Sequence, residues 1–357
     1  MPDIVLFGAT GYTGRLTAHA LNRRGADFAI AGRNRERLDE LAAATGGPDV
    51  FIADAADVDA LTAAAEGARV LLSCAGPFAE IGATAVEAAF RAGTHYVDSC
   101  AEIDFVARLV ERGEAASAAG ITLAPAMGFD EVPADVAATL SCEGLDHPDI
   151  VVTYAAPISL SRGSLQSLPG VLAATGTRVS GGKLVPIVTG DRDRWSPLPP
   201  PLGVRRALSA PMVLGRLAPL HLDLRSLDLY VMMGNLQWAG AKLSLPLLRA
   251  VWPVRAVRTI SGAILELLPE GPSSESRKAG WTILAEARSV GSWRNVTLTG
   301  TDLYGLTGEL LAAAATIMAG PDFEKAGTLA PVQVLGLDTL QKLLIDQGVE
   351  IHHYEPA

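Results

Sequence analysis

The stretch DIVLFGATGYTGRLTAHALNRRGADFAIAGRN, residues 3–34, decides the fold of the first part of the chain. It begins with an apolar strand from Asp3 to Phe7 and a glycine-rich turn, GATGYTG, at residues 8–14. A helical pattern follows from Tyr12 to Arg24, and a second apolar strand runs from Phe28 to Ala31. A strand, a tight turn, a helix and a strand in this order predict a βαβ unit with parallel strands and a right-handed crossover.

The three glycines of the turn each serve a different purpose. Gly8 lets the chain leave the strand sharply, Gly11 removes a Cβ where backbone approaches a phosphate, and Gly14 lets the helix pack closely. The first N–H groups of the helix then face an anion, with the positive end of the helix dipole behind them. This pattern predicts a dinucleotide site built from Gly8, Ala9, Thr10, Gly11, Tyr12, Thr13 and Gly14; the alternative is a tight turn without a ligand.

The residue after the second strand indicates which dinucleotide binds. NAD sites usually carry an acidic residue there, which accepts hydrogen bonds from the ribose 2′-hydroxyl. This chain has Arg33, followed by Asn34 and, one helical turn on, Arg37. Because a guanidinium can hold a 2′-phosphate with two parallel hydrogen bonds, we predict NADP(H) as the cofactor, with Arg33 as the main phosphate ligand. The alternative is that Arg33, Arg35 and Arg37 form a solvated face at the start of a helix.

Composition limits the classes of function. A chain of 357 residues with 49% hydrophobic residues fits a two-domain globular enzyme, and a net charge of −10 argues against nucleic acid as the partner. Cys74, Cys100 and Cys142 have no metal-type spacing, the six histidines form no metal constellation, and no metal site is predicted. The absence of a leader pattern and of a spanning apolar run predicts a cytoplasmic protein.

The charge is unevenly distributed along the chain. Residues 201–260 are rich in apolar side chains and carry eight arginines and lysines but only Asp223 and Asp228 as anions. A basic, apolar segment in an acidic protein indicates an anionic amphiphile as the partner, such as a membrane surface or an acyl carrier. The alternative is a packing layer of helices whose arginines extend to solvent.

Strands and helices continue to alternate to about residue 130, which predicts an α/β fold with a doubly wound parallel Rossmann sheet. This stretch includes a single helix predicted from Ile103 to Ala119. Beyond it the pattern predicts a second, α+β domain with a mixed or antiparallel sheet, including a hairpin around Gly291. The ligand crevice should lie at the carboxyl ends of the parallel strands. The residues expected at that edge are Asp54, Cys74, Ala75, Gly76, Pro77 and the loops 98–102 and 125–130.

Several motifs together resemble the saccharopine dehydrogenase-like reductases, and among them the bacterial trans-acting enoyl reductases. They are the glycine turn, Ala31-Gly32-Arg33, the stretch CAGPF at 74–78, AGTHYVD at 92–98 with Glu102, GFDEVPAD at 128–135, Gly271-Pro272-Ser273, the 300–304 turn and Leu329-Ala330-Pro331. The resemblance implies a Rossmann domain at 1–130, a substrate and dimerisation domain at 131–325, and a segment, 326–357, folding back onto the Rossmann domain. It also implies a homodimer and an NADPH-dependent reductase of carrier-bound enoyl thioesters.

Six residues are candidates for the chemistry: Tyr96, Asp98, Glu102, Asp130, Arg162 and Tyr304. Asp98 and Glu102 could hold a ribose hydroxyl or relay a proton, although Glu102 could instead cap the helix at Ile103. Asp130 could shape the mouth of the site or cap a helix, and Arg162 could bind a carboxylate or phosphopantetheine. Tyr304 could donate a proton, but it and Tyr96 could equally be packing residues.

Together with the resemblance, these observations lead us to expect an NADPH-dependent reductase of a conjugated C=C bond in an apolar or carrier-bound polyketide or lipid substrate. A reductase of an imine or iminium C=N bond in secondary metabolism is the second enzymatic hypothesis. The third hypothesis is a non-catalytic NADP-binding or membrane-associated protein that keeps only the binding fold.

Overall fold

The computed structural model describes residues 1–156, 161–252, 269–273 and 275–356, and it divides into two compact units. The first unit comprises Met1–Val132 and Leu303–Gly336, and the second comprises Pro133–Asp302 and Leu337–Ala357. Each unit is built around its own sheet.

The strands of the described residues are numbered in chain order. They are β1 (Ile4–Phe7), β2 (Phe28–Gly32), β3 (Asp49–Ile52), β4 (Val70–Ser73), β5 (His95–Asp98), β6 (Thr122–Ala124), β7 (Asp149–Ala155), β8 (Thr175–Ser180), β9 (Lys183–Val188), β10 (Asp193–Pro197), β11 (Val204–Ser209), β12 (Ser226–Met232), β13 (Trp281–Ser289), β14 (Ser292–Gly300), β15 (Gly327–Thr328) and β16 (Glu350–Tyr354).

The α-helices of the same residues are numbered separately. They are α1 (Tyr12–Arg23), α2 (Arg35–Ala44), α3 (Val58–Ala65), α4 (Phe78–Ala92), α5 (Ile103–Glu111), α6 (Gly113–Ala118), α7 (Val132–Cys142), α8 (Arg162–Ala173), α9 (Leu214–Leu217), α10 (Asn235–Val251), α11 (Leu303–Met318), α12 (Pro331–Leu335) and α13 (Leu337–Asp346). Short 3₁₀ turns occur at Ala218–Leu220 and Ser276–Lys278.

The first unit contains a seven-stranded parallel sheet in the order β15-β6-β5-β4-β1-β2-β3. Strands β1 and β4 are fully buried, as expected for central strands covered by helices on both faces. The strand order reverses between β1 and β4, so the crevice of a doubly wound fold lies at their carboxyl ends. The predicted Rossmann fold is therefore confirmed.

The described residues of the second unit form a mixed sheet of nine strands. Its main path is β10-β11-β12-β7-β13-β14-β16, with β8 and β9 attached through β12. Strands β7 and β12 are parallel, and the other neighbours are antiparallel. The predicted hairpin is present, with Gly291 at a positive φ of 77° between β13 and β14. The α+β prediction for this part is confirmed.

The structure differs from the sequence predictions in its details. The helix predicted from Ile103 to Ala119 is two helices, α5 and α6, because the chain breaks at Arg112, before Gly113. Glycine weakens a helix interior, and its presence there explains the break. Residues 175–209, which contain several prolines and arginines and for which we predicted no elements, form β8 to β11. Among the helices of the described ranges, none is long and apolar enough to cross a bilayer.

The units also divide the chain differently from the predicted boundaries of 130/131 and 325/326. Helix α11 belongs to the first unit because it packs on α1, where a Cβ added to Gly308 would lie 3.1 Å from Leu16. The last residues are shared between the sheets: β15 pairs with β6 of the first sheet, whereas β16 pairs with β14 of the second. The segment 326–357 is thus not one body attached to the Rossmann unit.

Candidate functional site

The glycine turn, residues 8–14, packs closely against the residues that follow β4. Gly8 has a φ of 76°, a conformation that residues with a Cβ rarely adopt, and a Cβ built there would lie 2.7 Å from the nitrogen of Ala75. The amide of Cys74 donates to the carbonyl of Phe7 at 2.9 Å, which joins the exits of β1 and β4. The turn and residues 74–77 therefore form one continuous floor at the carboxyl edge of the sheet.

The other two glycines differ sharply in their surroundings. A Cβ added to Gly14 would lie 2.3 Å from the carbonyl oxygen of Gly8, so helix α1 can pack onto the turn only through glycine. A Cβ added to Gly11 would meet only that same oxygen, at 3.3 Å, and its other side is open. Gly11 also precedes α1 without a side-chain cap. The first helical amides and the space above Gly11 suit a phosphate group.

Two guanidinium groups converge on the glycine turn. Arg15 donates from Nη1 to the carbonyl of Thr10 at 2.7 Å, and Arg37 donates from Nη2 to the same carbonyl at 3.2 Å. Arg15 lies in the first turn of α1 and Arg37 in the first turn of α2. The two helices that follow β1 and β2 therefore place positive charge beside the turn.

The residues after β2 have distinct roles. Asn34 caps α2, since its Oδ1 accepts the amide of Arg37 at 3.0 Å. Arg35 forms an exposed ion pair with Asp39 at 2.9 Å. For Arg35, this contact fits the alternative that the arginines lie on a solvated helix face. The exposed Arg33 has no hydrogen-bond or ion-pair partner among the described residues. Its guanidinium is thus available to a 2′-phosphate, and Arg33 stays our predicted ligand.

The helix that follows residues 74–77 is capped by Glu102. The carboxylate of Glu102 accepts the amides of Phe78 and Ala79, each at 2.8 Å, and thereby caps helix α4. The alternative that Glu102 caps its own helix is wrong, because α5 begins there without a side-chain cap. Burial raises the pKa of the Cys74 thiol to about 12, so Cys74 is neutral and packs beside Thr17.

Asp98 is fully buried and ties two loops of the edge together. Its Oδ1 accepts the amide of Cys100 at 2.8 Å and that of Ala126 at 2.9 Å, while its carbonyl accepts the amide of Met127 at 2.8 Å. Ala126 has a positive φ of 59°, which these bonds help to hold. Burial raises the pKa of Asp98 to about 6.

The carboxyl of Asp98 belongs to a small cluster of polar side chains. The Tyr96 hydroxyl is close enough to the Asp98 carboxyl and to Ser73, on the neighbouring strand, for both to affect its pKa. The Tyr96 hydroxyl, Oδ2 of Asp98 and the Ser73 hydroxyl are buried and lack a hydrogen-bond partner within the described part of the chain. Burial, with the nearby Asp98 carboxylate, raises the pKa of Tyr96 well above its usual value, which keeps Tyr96 protonated.

The loop after β6 ends at an acidic residue. Phe129 donates its amide to Oγ1 of Thr307 at 3.1 Å, and a Cβ at Gly128 would lie 3.0 Å from Thr307 Cγ2. Asp130 follows, and part of this residue is exposed, although other parts of the protein lie close around its carboxyl. The surrounding protein desolvates this carboxyl, which disfavours its charged form and raises the pKa of Asp130 to about 6.

The remaining candidates are placed as follows. Tyr304, buried in α11, packs edge-to-face on Tyr12 of the glycine turn, with 5.2 Å between ring centroids. Asp54 closes a turn after β3 by accepting the amide of Ala56 at 2.9 Å. Arg162 belongs to the second unit, where it pairs with Glu270 at 3.5 Å. The roles predicted for these residues in binding or catalysis stay predictions.

The last acidic residue of the 128–135 motif has a structural partner. Asp135 of α7 is fully buried, and its Oδ1 contacts Nε2 of His221 at 2.8 Å. The end of the motif therefore fastens α7 within the second unit. The described residues contain no cluster of three His, Cys, Asp or Glu side chains arranged for a metal ion.

Comparison with known families identifies the first unit. Residues 4–124 match the family described as the saccharopine dehydrogenase NADP binding domain. The open backbone at Gly11 and the arginines beside the turn fit the phosphates of that cofactor. Residues 4–124 are therefore similar to the NADP-binding domain of that family. The predicted cofactor, NADP(H), is confirmed.

Two further similarities extend this result. The chain is 39% identical over 142 residues to a trans-acting enoyl reductase of Mycobacterium leprae, and 37% identical over 142 residues to one of Mycobacterium tuberculosis strain H37Rv. Each match covers 38% of this chain but only 34% of the relative, so the chain aligns with about a third of the length of these curated relatives. The predicted resemblance is confirmed over that part.

The whole chain shares its fold with a solved enzyme. Apo saccharopine dehydrogenase (L-Glu forming) from Saccharomyces cerevisiae superposes with a TM-score of 0.63 over 100% of both chains, at 15% identity. At this identity the similarity describes the fold and not the substrate. The second unit of this chain thus has the same general fold as the corresponding part of that enzyme.

Sequence reasoning missed two residues of this site. Arg15 directly follows Gly14, and its position in the first helical turn was a signal that could have placed it beside the phosphates. Thr307 lies far along the chain from Phe129, which it contacts, and only the packing of α11 on the NADP-binding domain reveals it.

Proposed function

We propose that this protein is an NADPH-dependent reductase of a conjugated C=C bond in an apolar or carrier-bound enoyl substrate. The observation that carries the proposal is the NADP-binding domain with Arg15 and Arg37 at the carbonyl of Thr10. The similarity to mycobacterial trans-acting enoyl reductases supports the choice of substrate class. Bound NADPH supplies the hydride in such a reduction.

The chain's own residues account for positioning. Gly8, Gly11 and Gly14 bring backbone close to the phosphates, and Arg33 with Arg37 selects the 2′-phosphate. Asp98 and Glu102 fix the loops at the ends of β4, β5 and β6, because their carboxylates hold main-chain amides. These buried carboxylates orient the floor of the site and do not need to react.

Asp130 is the residue we assign to proton transfer. Reduction of a conjugated enoyl group needs one proton at the carbon next to the carbonyl, in addition to the hydride. Asp130 is accessible at the carboxyl edge of the sheet, and its raised pKa of about 6 leaves part of it protonated near neutral pH. Its protonated oxygen can therefore deliver that proton.

The test is a substrate panel in which NADPH consumption is followed by absorbance. Enoyl thioesters on coenzyme A and on an acyl carrier protein are compared with cyclic imines. We expect reduction of the enoyl thioesters, with kcat falling as the pH rises through about 6. Asp130→Asn should lower kcat and remove that pH dependence, whereas Asp104→Asn, an exposed carboxylate of α5, should leave both unchanged.

The outcomes separate the hypotheses. Reduction of imines alone would replace C=C by C=N as the reacting bond. Tight NADPH binding without turnover of any substrate would favour a non-catalytic NADP-binding protein. An unchanged pH profile in Asp130→Asn, with turnover intact, would exclude Asp130 as the proton donor but would leave the reductase assignment standing.

A further inference from the structure

Two tryptophans and an arginine form a cluster at one end of the second sheet. Trp195 of β10 and Arg206 of β11 are directly opposite each other in the antiparallel pair, so their side chains lie on the same face of the sheet. Trp238, in the first turn of α10, meets Arg206 from the helix. The guanidinium carbon of Arg206 lies over both indole rings, 4.0 Å from the ring centroid of Trp238 and 5.1 Å from that of Trp195. We call these three residues the Trp–Arg–Trp cluster.

The ring of Trp238 is fixed by a hydrogen bond. Its indole nitrogen donates to Oδ2 of Asp193 at 3.0 Å. Asp193 lies two residues before Trp195, on the same face of β10. Among the described residues Asp193 forms no ion pair with Arg206, so its carboxylate holds the indole and does not bind the guanidinium.

Arg206 differs from other arginines of the same unit in having no carboxylate partner. Arg178 and Arg192 both pair with Asp228, at 3.3 and 3.2 Å. The half-buried side chain of Arg206 forms neither a hydrogen bond nor an ion pair with any residue that the structure describes. Its contacts are the stacking contacts with the two rings, and the N–H groups at the edge of its guanidinium plane stay available.

The stacking contacts prepare Arg206 to bind an anion. A guanidinium keeps five N–H donors in one plane, and their fork geometry matches a carboxylate or a phosphate. Rings over its face hold that plane without using the donors at its edge. Part of the side-chain entropy that binding would otherwise cost is therefore already lost in the folded protein.

Apolar surface lies beside the guanidinium. Trp195 is 57% exposed, and Val204, two residues before Arg206 on the same face of β11, is 59% exposed. Inorganic phosphate gains nothing from such a surface, whereas an anion that carries a hydrocarbon chain covers it. The cluster therefore favours an organic anion over an inorganic one.

We propose that the Trp–Arg–Trp cluster binds an organic anion, with the charged group on the N–H edge of Arg206 and the apolar part on Trp195 and Val204. The charged group is a phosphate or a carboxylate, and its two sources are the phosphate of a thioester carrier and the carboxylate of a free metabolite. All residues of the cluster belong to the second unit, whereas residues 8–37 of the cofactor site belong to the first. The site is thus additional to the NADP site and does not depend on the reductase assignment.

The test is calorimetric titration of the whole chain saturated with NADP⁺, which occupies the phosphate-binding positions of the cofactor site. The probes are hexyl phosphate, hexanoate, hexanol and inorganic phosphate. We expect the two hexyl anions to bind more tightly than inorganic phosphate, and hexanol to bind at least about tenfold more weakly than either of them. Added salt should weaken the binding of the anions. The tighter of the two hexyl anions identifies the source as a phosphate or a carboxylate.

Substitutions assign this binding to the cluster. Arg206→Gln should weaken both hexyl anions at least about tenfold, and Arg206→Lys, which keeps the charge but loses the fork, should weaken them about threefold or more. Trp195→Ala should weaken the hexyl anions but leave inorganic phosphate nearly unchanged, a difference that a loss of folding would not produce. Arg205→Gln is the matched control, because Arg205 is exposed and its side chain leaves β11 on the opposite face. It should leave the affinities for all four probes unchanged.

Three results would overturn the inference. They are hexanol binding as tightly as hexanoate, no binding of either hexyl anion, or an equal loss in Arg205→Gln and Arg206→Gln. NADPH affinity, measured by fluorescence, should be the same in all variants and shows that they are folded. Since no readout depends on turnover, each of these results would leave the reductase proposal standing.

Discussion

Glu102 caps the helix that begins at Phe78: its Oε1 accepts the Phe78 amide at 2.8 Å, and its Oε2 accepts the next amide at 2.8 Å. The carboxylate comes from the loop after β5, whereas the helix follows β4. One side chain thus joins the exits of two neighbouring strands. It also neutralises the positive end of α4, the helix that directly follows residues 74–77.

Glu102→Ala should destabilise the first unit by about 2 kcal/mol, because two amides at a largely buried helix end lose their acceptor. Glu102→Gln keeps one amide oxygen and should lose about half as much. The measurement is urea unfolding followed by circular dichroism, with the transition of this unit identified by its shift on adding NADPH. Glu80→Ala, which removes an exposed carboxylate from the first turn of the same helix, should have little effect; similar losses in both would show that the cap is not the cause.

Arg33→Ala should weaken NADPH binding by about 10- to 100-fold and leave NADH binding nearly unchanged, because only NADPH presents the 2′-phosphate. Arg35→Ala is the matched control, since Arg35 lies two residues away and is paired with Asp39. Fluorescence titration with both cofactors gives the dissociation constants. Equal losses for NADPH and NADH would refute the assignment of Arg33.

The local pattern of the chain predicted the NADP-binding unit well, for physical reasons. Buried parallel strands are continuous apolar runs, and the constraints on Gly8 and Gly14 act within a few residues. The contacts that join distant segments of the chain were not predicted. The carboxylate of Glu102 could cap either of two helices, and only the neighbouring positions of β4 and β5 decide for α4.

The second unit was less predictable. Strands β8 to β11 contain arginine, proline and exposed positions, because they lie toward an edge of a mixed sheet and lack a continuous apolar run. The placement of α11 with the first unit depends on Gly308 packing against Leu16 and on Thr307 meeting Phe129. Neither contact leaves a periodic signal in the sequence.

The variants Gly11→Ala and Gly14→Ala should separate the effect of these glycines on cofactor affinity from their effect on the free energy of unfolding. A Cβ at Gly11 meets only one oxygen, at 3.3 Å, so the protein should lose less than about 1 kcal/mol of unfolding free energy. The same Cβ occupies the approach to the phosphates, so affinity for NADPH and NADH should fall together, by more than about tenfold. Gly14→Ala places a Cβ 2.3 Å from the Gly8 oxygen and should cost about 2 kcal/mol or more. Unchanged cofactor binding in a folded Gly11→Ala would move the phosphates away from this turn.

Asp98 should make the first unit less stable as the pH rises from about 4 to about 7. Burial raises its pKa in the folded protein to about 6, from 3.8 in the unfolded chain. Well below pH 3.8 the carboxyl is neutral in both the folded and the unfolded state, and it does not affect stability. Between these pKa values the unfolded chain releases the proton while the folded one retains it, so stability falls with pH, by about 3 kcal/mol in total.

Asp98→Asn removes this titration while its amide oxygen can still accept the amides of Cys100 and Ala126. The stability of the variant relative to wild type should therefore increase by up to about 3 kcal/mol between pH 4 and pH 7. Urea unfolding of both proteins at several pH values measures this difference, with Asp104→Asn reporting the removal of an exposed carboxylate from the same unit. A difference that does not change with pH would mean that Asp98 titrates alike in the folded and unfolded states. Its role would then be limited to holding the loops after β5 and β6.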